Sequence, residues 1–177
     1  MMGLALLAAG LVAGMNAAAV DEYINRCAIP IVSGAPVVTD GLHEVDAAGF
    51  GARPGPEASN ARFFTDEGAN IRIASSRVDL VGAACMLLPV AATEETNNEI
   101  LIHDAVARIE ASLADAGYTA HRLAPEKSAR QQVETIHALH GGAMATFLIA
   151  ADEAGRITQL IAMERTPETL SKNGGDE

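Results

Sequence analysis

GGAMATFLIAADEAGRITQLIAMER, residues 141–165, decides how the chain is to be read. Two apolar runs rich in β-formers, 143–151 and 156–164, flank Asp152-Glu153-Ala154-Gly155, which supplies a glycine for a turn position with φ > 0. The pattern predicts a β-hairpin. Its first strand is apolar on both faces and is expected inside a sheet. The second carries Arg156, Thr158 or Gln159, and Glu164, and is expected nearer an edge or solvent.

Upstream, ARFFTDEGANIRIASS (61–76) repeats the arrangement. Asp66-Glu67-Gly68 stands at the reversal, and Ile71 and Ile73 alternate onto one strand face, so a second hairpin is expected. VGAACMLLPV (81–90) is apolar enough for a central strand that carries Cys85 and ends at Pro89. Residues 96–115 read as the principal helix. Thr96 and Glu99 form a capping box, Ile102, Val106, Ile109 and Leu113 make one apolar stripe, Asp104 and Arg108 pair at i,i+4, and Gly117 stops it. A short edge strand is expected over 118–123. Residues 125–140 admit either reading. Val133, Ile136 and Leu139 at spacing three, with an Arg130–Glu134 pair and a Gly141-Gly142 stop, favour a helix, while 133–139 also suits a strand.

Nearer the amino terminus, 18–28 reads as a short helix with Val20, Tyr23, Ile24 and Cys27 on one stripe, ended by Pro30. An extended connector (29–38), a short helix over 39–48 that turns Leu42 and Val45 inward, and a glycine- and proline-rich loop (49–60) follow. The fold class expected is α+β: an antiparallel sheet of about five strands, with the long helix and the short N-terminal helix packed on it and one disulfide. At 177 residues the chain suits a single domain, placed at 20–166, with a polar disordered tail at 167–177.

Residues 1–19, MMGLALLAAGLVAGMNAAA, contain no charged side chain and finish on small residues in an A-x-A pattern. They read as a secretory signal peptide cleaved after Ala19, although no Lys or Arg precedes the apolar core. Leu11-Val12-Ala13-Gly14 resembles the approach to a lipobox, but Met15 occupies the position of the acylated cysteine. The expected location is periplasmic or secreted, with no membrane insertion after cleavage. Cys27 and Cys85 are the only thiols, and in an oxidising compartment they are expected to form a disulfide.

With 12 Lys and Arg against 23 Asp and Glu, the chain has a net charge of −11, which argues against a nucleic-acid partner, since phosphate neutralisation needs clustered basic residues. Neither a P-loop, a dinucleotide-binding glycine cradle, an H-E-x-x-H helix nor a G-x-S-x-G elbow is present, so His140-Gly141-Gly142 has no nucleophile to serve. No catalytic residue and no cofactor are assigned. Adjacent carboxylates such as Asp66-Glu67 and Glu94-Glu95 read as solvated turns, because the chain lacks the tryptophan platforms of a sugar site. The leading expectation is a non-enzymatic interaction or small-ligand-binding module whose partner is an unknown protein or small ligand. The alternative is a transition-metal protein or metal-dependent enzyme that uses His137 and His140, which on a helix would share a face.

Overall fold

In the computed structural model, residues 14–50, 61–67, 71–78, 81–88, 99–128, 130–140 and 143–165 are described. The strands are β1 (His43–Val45), β2 (Ala61–Thr65), β3 (Arg72–Val78), β4 (Val81–Leu88), β5 (Ala120–Arg122), β6 (Glu126–Lys127), β7 (Gln132–His140), β8 (Ala143–Ala151) and β9 (Ile157–Arg165). They form one nine-stranded sheet in the order β1-β2-β3-β4-β9-β8-β7-β5, with β6 also on β7. Every strand pairing is antiparallel. The expected α+β domain of about five strands with a long helix is therefore corrected to a predominantly antiparallel sheet with short helices.

The helices are α1 (Ala17–Tyr23), a π-helical turn (Ile24–Ala28), α2 (Ile29–Ser33), α3 (Ala47–Phe50) and α4 (Ile102–Asp115). The long helix of 96–115 shrinks because its expected cap is used otherwise. Glu99 enters a β-bridge with Asn16, Leu101 bridges Arg156 and takes the N-cap position, and Thr96 lies outside the described residues. The apolar stripe is as expected, with Ile102, Val106, Ile109 and Leu113 buried, and Gly117 follows the helix at φ 86°. Arg108 pairs across to Asp21 of α1 rather than along its own helix to Asp104.

Pro30 does not end the first helical stretch. A proline within an α-helix crowds the carbonyl four residues earlier and leaves it without a donor. Here the π turn lies just before the proline, with the Ile29 amide donating to Ile24 O, and the Arg26 carbonyl accepts from Val38 N at 3.0 Å. The chain then turns at Gly34, φ 71°, where a left-handed conformation favours glycine. The helix expected over 39–48 is instead β1 followed by α3.

Each half of the chain has the same plan: a helix, a short outer strand, then a meander of longer strands. β1 lies beside β2-β3-β4, and β5 lies beside β7-β8-β9. The last strand of each meander, β4 and β9, meet at the centre, so the halves are related by an approximate twofold relation in topology. The residues leading into the two helices meet as well, through the antiparallel Asn16–Glu99 bridge. β9 is thus interior, not near an edge as its charged residues suggested.

One face of the sheet is covered by α1, the π turn, α2 and α4, which enclose the main core with Phe64, Ile73, Cys85, Leu87, Ile136, Phe147, Ile149, Leu160 and Ala162. Tyr23 is fully buried there, burial pushes its phenol well above the ordinary value, and its hydroxyl has no hydrogen-bond partner among the described residues. Tyr23→Phe is therefore expected to raise the unfolding free energy by about 1 kcal/mol. Urea titration checks this, and a lower midpoint would count against it.

Candidate functional site

Cys27, on the π turn, and Cys85, on β4, are bonded to each other with Cα atoms 5.5 Å apart, and both are fully buried. The bond fastens the first helical stretch to the middle of the sheet. It is a structural staple, and its sulfurs are not presented to solvent.

The opposite face of the sheet carries a second set of side chains, turned away from the main core. Strand alternation places Ala84, Met86 and Leu88 of β4 there, with Gln159, Ile161 and Met163 of β9. Met144, Thr146, Leu148 and Ala150 of β8, and Val133, Thr135, His137 and Leu139 of β7, continue the same surface. Cross-strand register builds these into rows. Met86, Ile161, Leu148 and Thr135 form one, and Ala84, Met163, Thr146, His137 and His121 form the next. The helices packed on β7, β8 and β9, namely α2, the π turn and α4, lie on the core side.

This surface is covered at one end. α3 lays Phe50 against Phe63, ring centroids 4.8 Å apart, and the Arg72 guanidinium stands 4.8 Å from the Phe50 ring centroid. Phe50, Phe63 and Ala74 form a small separate core against which Met86 and Leu88 pack. Beyond that point Met144, Leu148, Ile161 and Met163 are half-buried, and Leu139 is 61% exposed. The result is an apolar field with flexible methionines among branched side chains, a composition that adapts to more than one apolar shape.

A polar atom sits within it. Thr146 is 2% exposed, and its hydroxyl lacks a hydrogen-bond partner among the described residues. Its neighbours in register are Met163 and His137. Sequence reading missed this site because apolar residues at both odd and even positions of β8 suggested only depth inside the sheet.

The core side of β7 carries the other unusual group. Glu134 is buried, with its side chain 3% exposed. Burial alone would raise its pKa, but hydrogen bonds from Arg122 and Gln132 and the positive charges of Arg122 and Lys127 hold it below the ordinary glutamate value. Arg122 Nε donates to one carboxylate oxygen at 3.0 Å, and its Nη2 lies 2.9 Å from the other. The Arg130–Glu134 pair expected from a helix is replaced by this cross-strand pair, which ties edge strand β5 to β7.

His137 and His140 both lie on β7, so the helical spacing that motivated them as metal ligands is not formed; on a strand an odd spacing divides two positions between opposite faces. His137 is opposite His121 of β5, a juxtaposition with no signal in the linear sequence. Among the described residues there is no group of three or more His, Cys, Asp or Glu placed to hold a metal ion. Among the same residues no helix is long and apolar enough to cross a membrane. Residues 1–13 of the expected leader (1–19) and the polar tail after Arg165 lie outside the described residues. No protein-family model, curated protein or solved structure matches the chain.

Proposed function

We propose that this is an exported, non-enzymatic binding module that receives an apolar segment of another polypeptide on the outer face of β4, β9, β8 and β7. The observation that carries the reading is the methionine-containing apolar surface on the side of the sheet opposite the main core. A broad sheet face suits an extended polypeptide segment, whose alternate side chains can lie along the rows through Leu148 and Ile161. The Thr146 hydroxyl, buried and without a hydrogen-bond partner among the described residues, offers such a segment one polar anchor once uncovered.

Export is supported by the uncharged apolar leader and by the Cys27–Cys85 bond, a linkage that persists in oxidising compartments and is rare in the cytosol. The acidic balance keeps the free module soluble and disfavours strongly acidic partners.

The test is titration of labelled synthetic peptides of about ten residues, graded in apolar content, followed by fluorescence anisotropy; ten extended residues reach roughly 33 Å. Saturable binding that rises with apolar content is expected. Paired Leu148→Thr and Ile161→Thr changes retain strand-forming character and should weaken binding about tenfold or more, equivalent to about 1.4 kcal/mol. Equal binding by the variant, or none by the wild type across the series, would overturn the reading. Thr146→Val separates the roles of the hydroxyl: the expected result is a higher melting temperature together with weaker peptide binding. If the melting temperature falls, the hydroxyl is satisfied in the free protein.

A further inference from the structure

The segment 15–19, which the A-x-A pattern assigns to the discarded leader, is built into the folded body. Met15 is 2% exposed and belongs to the main core. Its carbonyl accepts from Ile100 N at 2.9 Å, and Asn16 forms the antiparallel bridge with Glu99. The Asn16 side chain caps α1 by accepting from Ala19 N at 2.9 Å. Ala17 and Ala19 pack against the core at their partly buried surfaces. Hydrolysis after Ala19 would remove the cap, the first residues of α1 and the buried methionine together. It would also leave the new ammonium group of Val20 at the positive end of a helix.

We infer that the leader is removed ahead of Met15, with Val12-Ala13-Gly14 as the recognition sequence and the Gly14–Met15 amide as the bond cut. Val12 and Gly14 present the small and modest side chains that a signal peptidase accepts on the leader side of its cut. The peptidase adds one water across that amide, leaving a carboxylate on Gly14 and an amine on Met15. Gly14 N donates to Glu99 Oε1 at 3.1 Å, and Met15, the residue after the cut, lies in the core.

This inference rests on the proposed export, and the experiment separates the two. The full chain is expressed with its own leader in a host with an oxidising periplasm, fractionated, alkylated without reduction and weighed intact. A periplasmic product beginning at Met15, with no alkylated thiol, is expected. A periplasmic product beginning at Val20 would overturn the inference while leaving export standing. Unprocessed chain in the cytosol with two alkylated thiols would overturn export and the cleavage site with it. Site variants in the full chain give a second readout. Gly14→Leu is expected to accumulate precursor, whereas Ala17→Leu combined with Ala19→Leu is expected to be processed like the parent. The reverse pattern would overturn the inference.

Discussion

Replacing Cys27 and Cys85 together by alanine is expected to lower the unfolding free energy by about 4 kcal/mol, the chain-entropy value for a bond spanning 58 residues. For a chain of this length that corresponds to a melting temperature lower by roughly 10 °C. The loss should be large because the bond joins elements of different kinds. Without it the π turn is held in place by core packing, in which Tyr23, Ile24 and Ala28 take part. Calorimetry of the oxidised parent and the double variant measures the effect. A change below about 1 kcal/mol would mean that the unfolded chain is already compact in this region. Both sulfurs are fully buried, so reductant added to the folded parent should act only as fast as the body opens.

Arg122→Ala should cost about 3 kcal/mol near neutral pH, since it leaves a carboxylate that is 3% exposed with Gln132 as its remaining side-chain donor among the described residues. Its pH dependence distinguishes this cause from simple loss of packing. In the parent, Glu134 has a folded pKa below its unfolded value. Its contribution is therefore complete above the ordinary glutamate value of about 4.3 and is lost as pH falls through the lower folded value. Without Arg122, burial dominates and the folded pKa moves above the ordinary value. The folded variant then holds the proton more tightly than the unfolded chain, so its penalty is small below about pH 4 and grows as pH rises toward the new folded value. Denaturant midpoints measured from acid to neutral pH should diverge between parent and variant. Parallel curves would show that Glu134 is satisfied without Arg122.

The hairpin of β8 and β9 was legible almost to the residue, because long β-forming runs surround a turn whose Gly155 has φ 82°. The pairing of β2 with β3 and the apolar strand around Cys85 were legible for the same reason. β7 was ambiguous for a definite physical cause. Its inward positions are Glu134, Ile136 and Ala138, while Val133 and Leu139 point outward, so neither face has the composition that a period-two pattern requires. Spacing of three among Val133, Ile136 and Leu139 imitated a helix by mixing the two faces. The polar segments β1 and β6 carry no apolar periodicity, and they become strands only because β2 and β7 present edges to them.

The candidate surface was hidden for a related reason. Leu148, Ile161 and Met163 looked like further core in the linear chain, and only the placement of α1, α2 and α4 on the other side distinguishes them. The N-terminal boundary is hard to read because small residues are compatible both with a peptidase site and with a closely packed helix start. The A-x-A pattern pointed to a cut after Ala19, and the burial of Met15 is what supports the earlier site proposed above.

The meeting of β4 with β9 also sets an order of events during synthesis. β4 must wait for the final stretch of the chain before its second edge is filled, and during that interval the growing polypeptide exposes an open hydrogen-bonding ladder. Both sulfurs have already emerged by then, since each belongs to the half made first. On the proposed export route, both sulfurs therefore reach the oxidising compartment before the final strand, and the seam closes last.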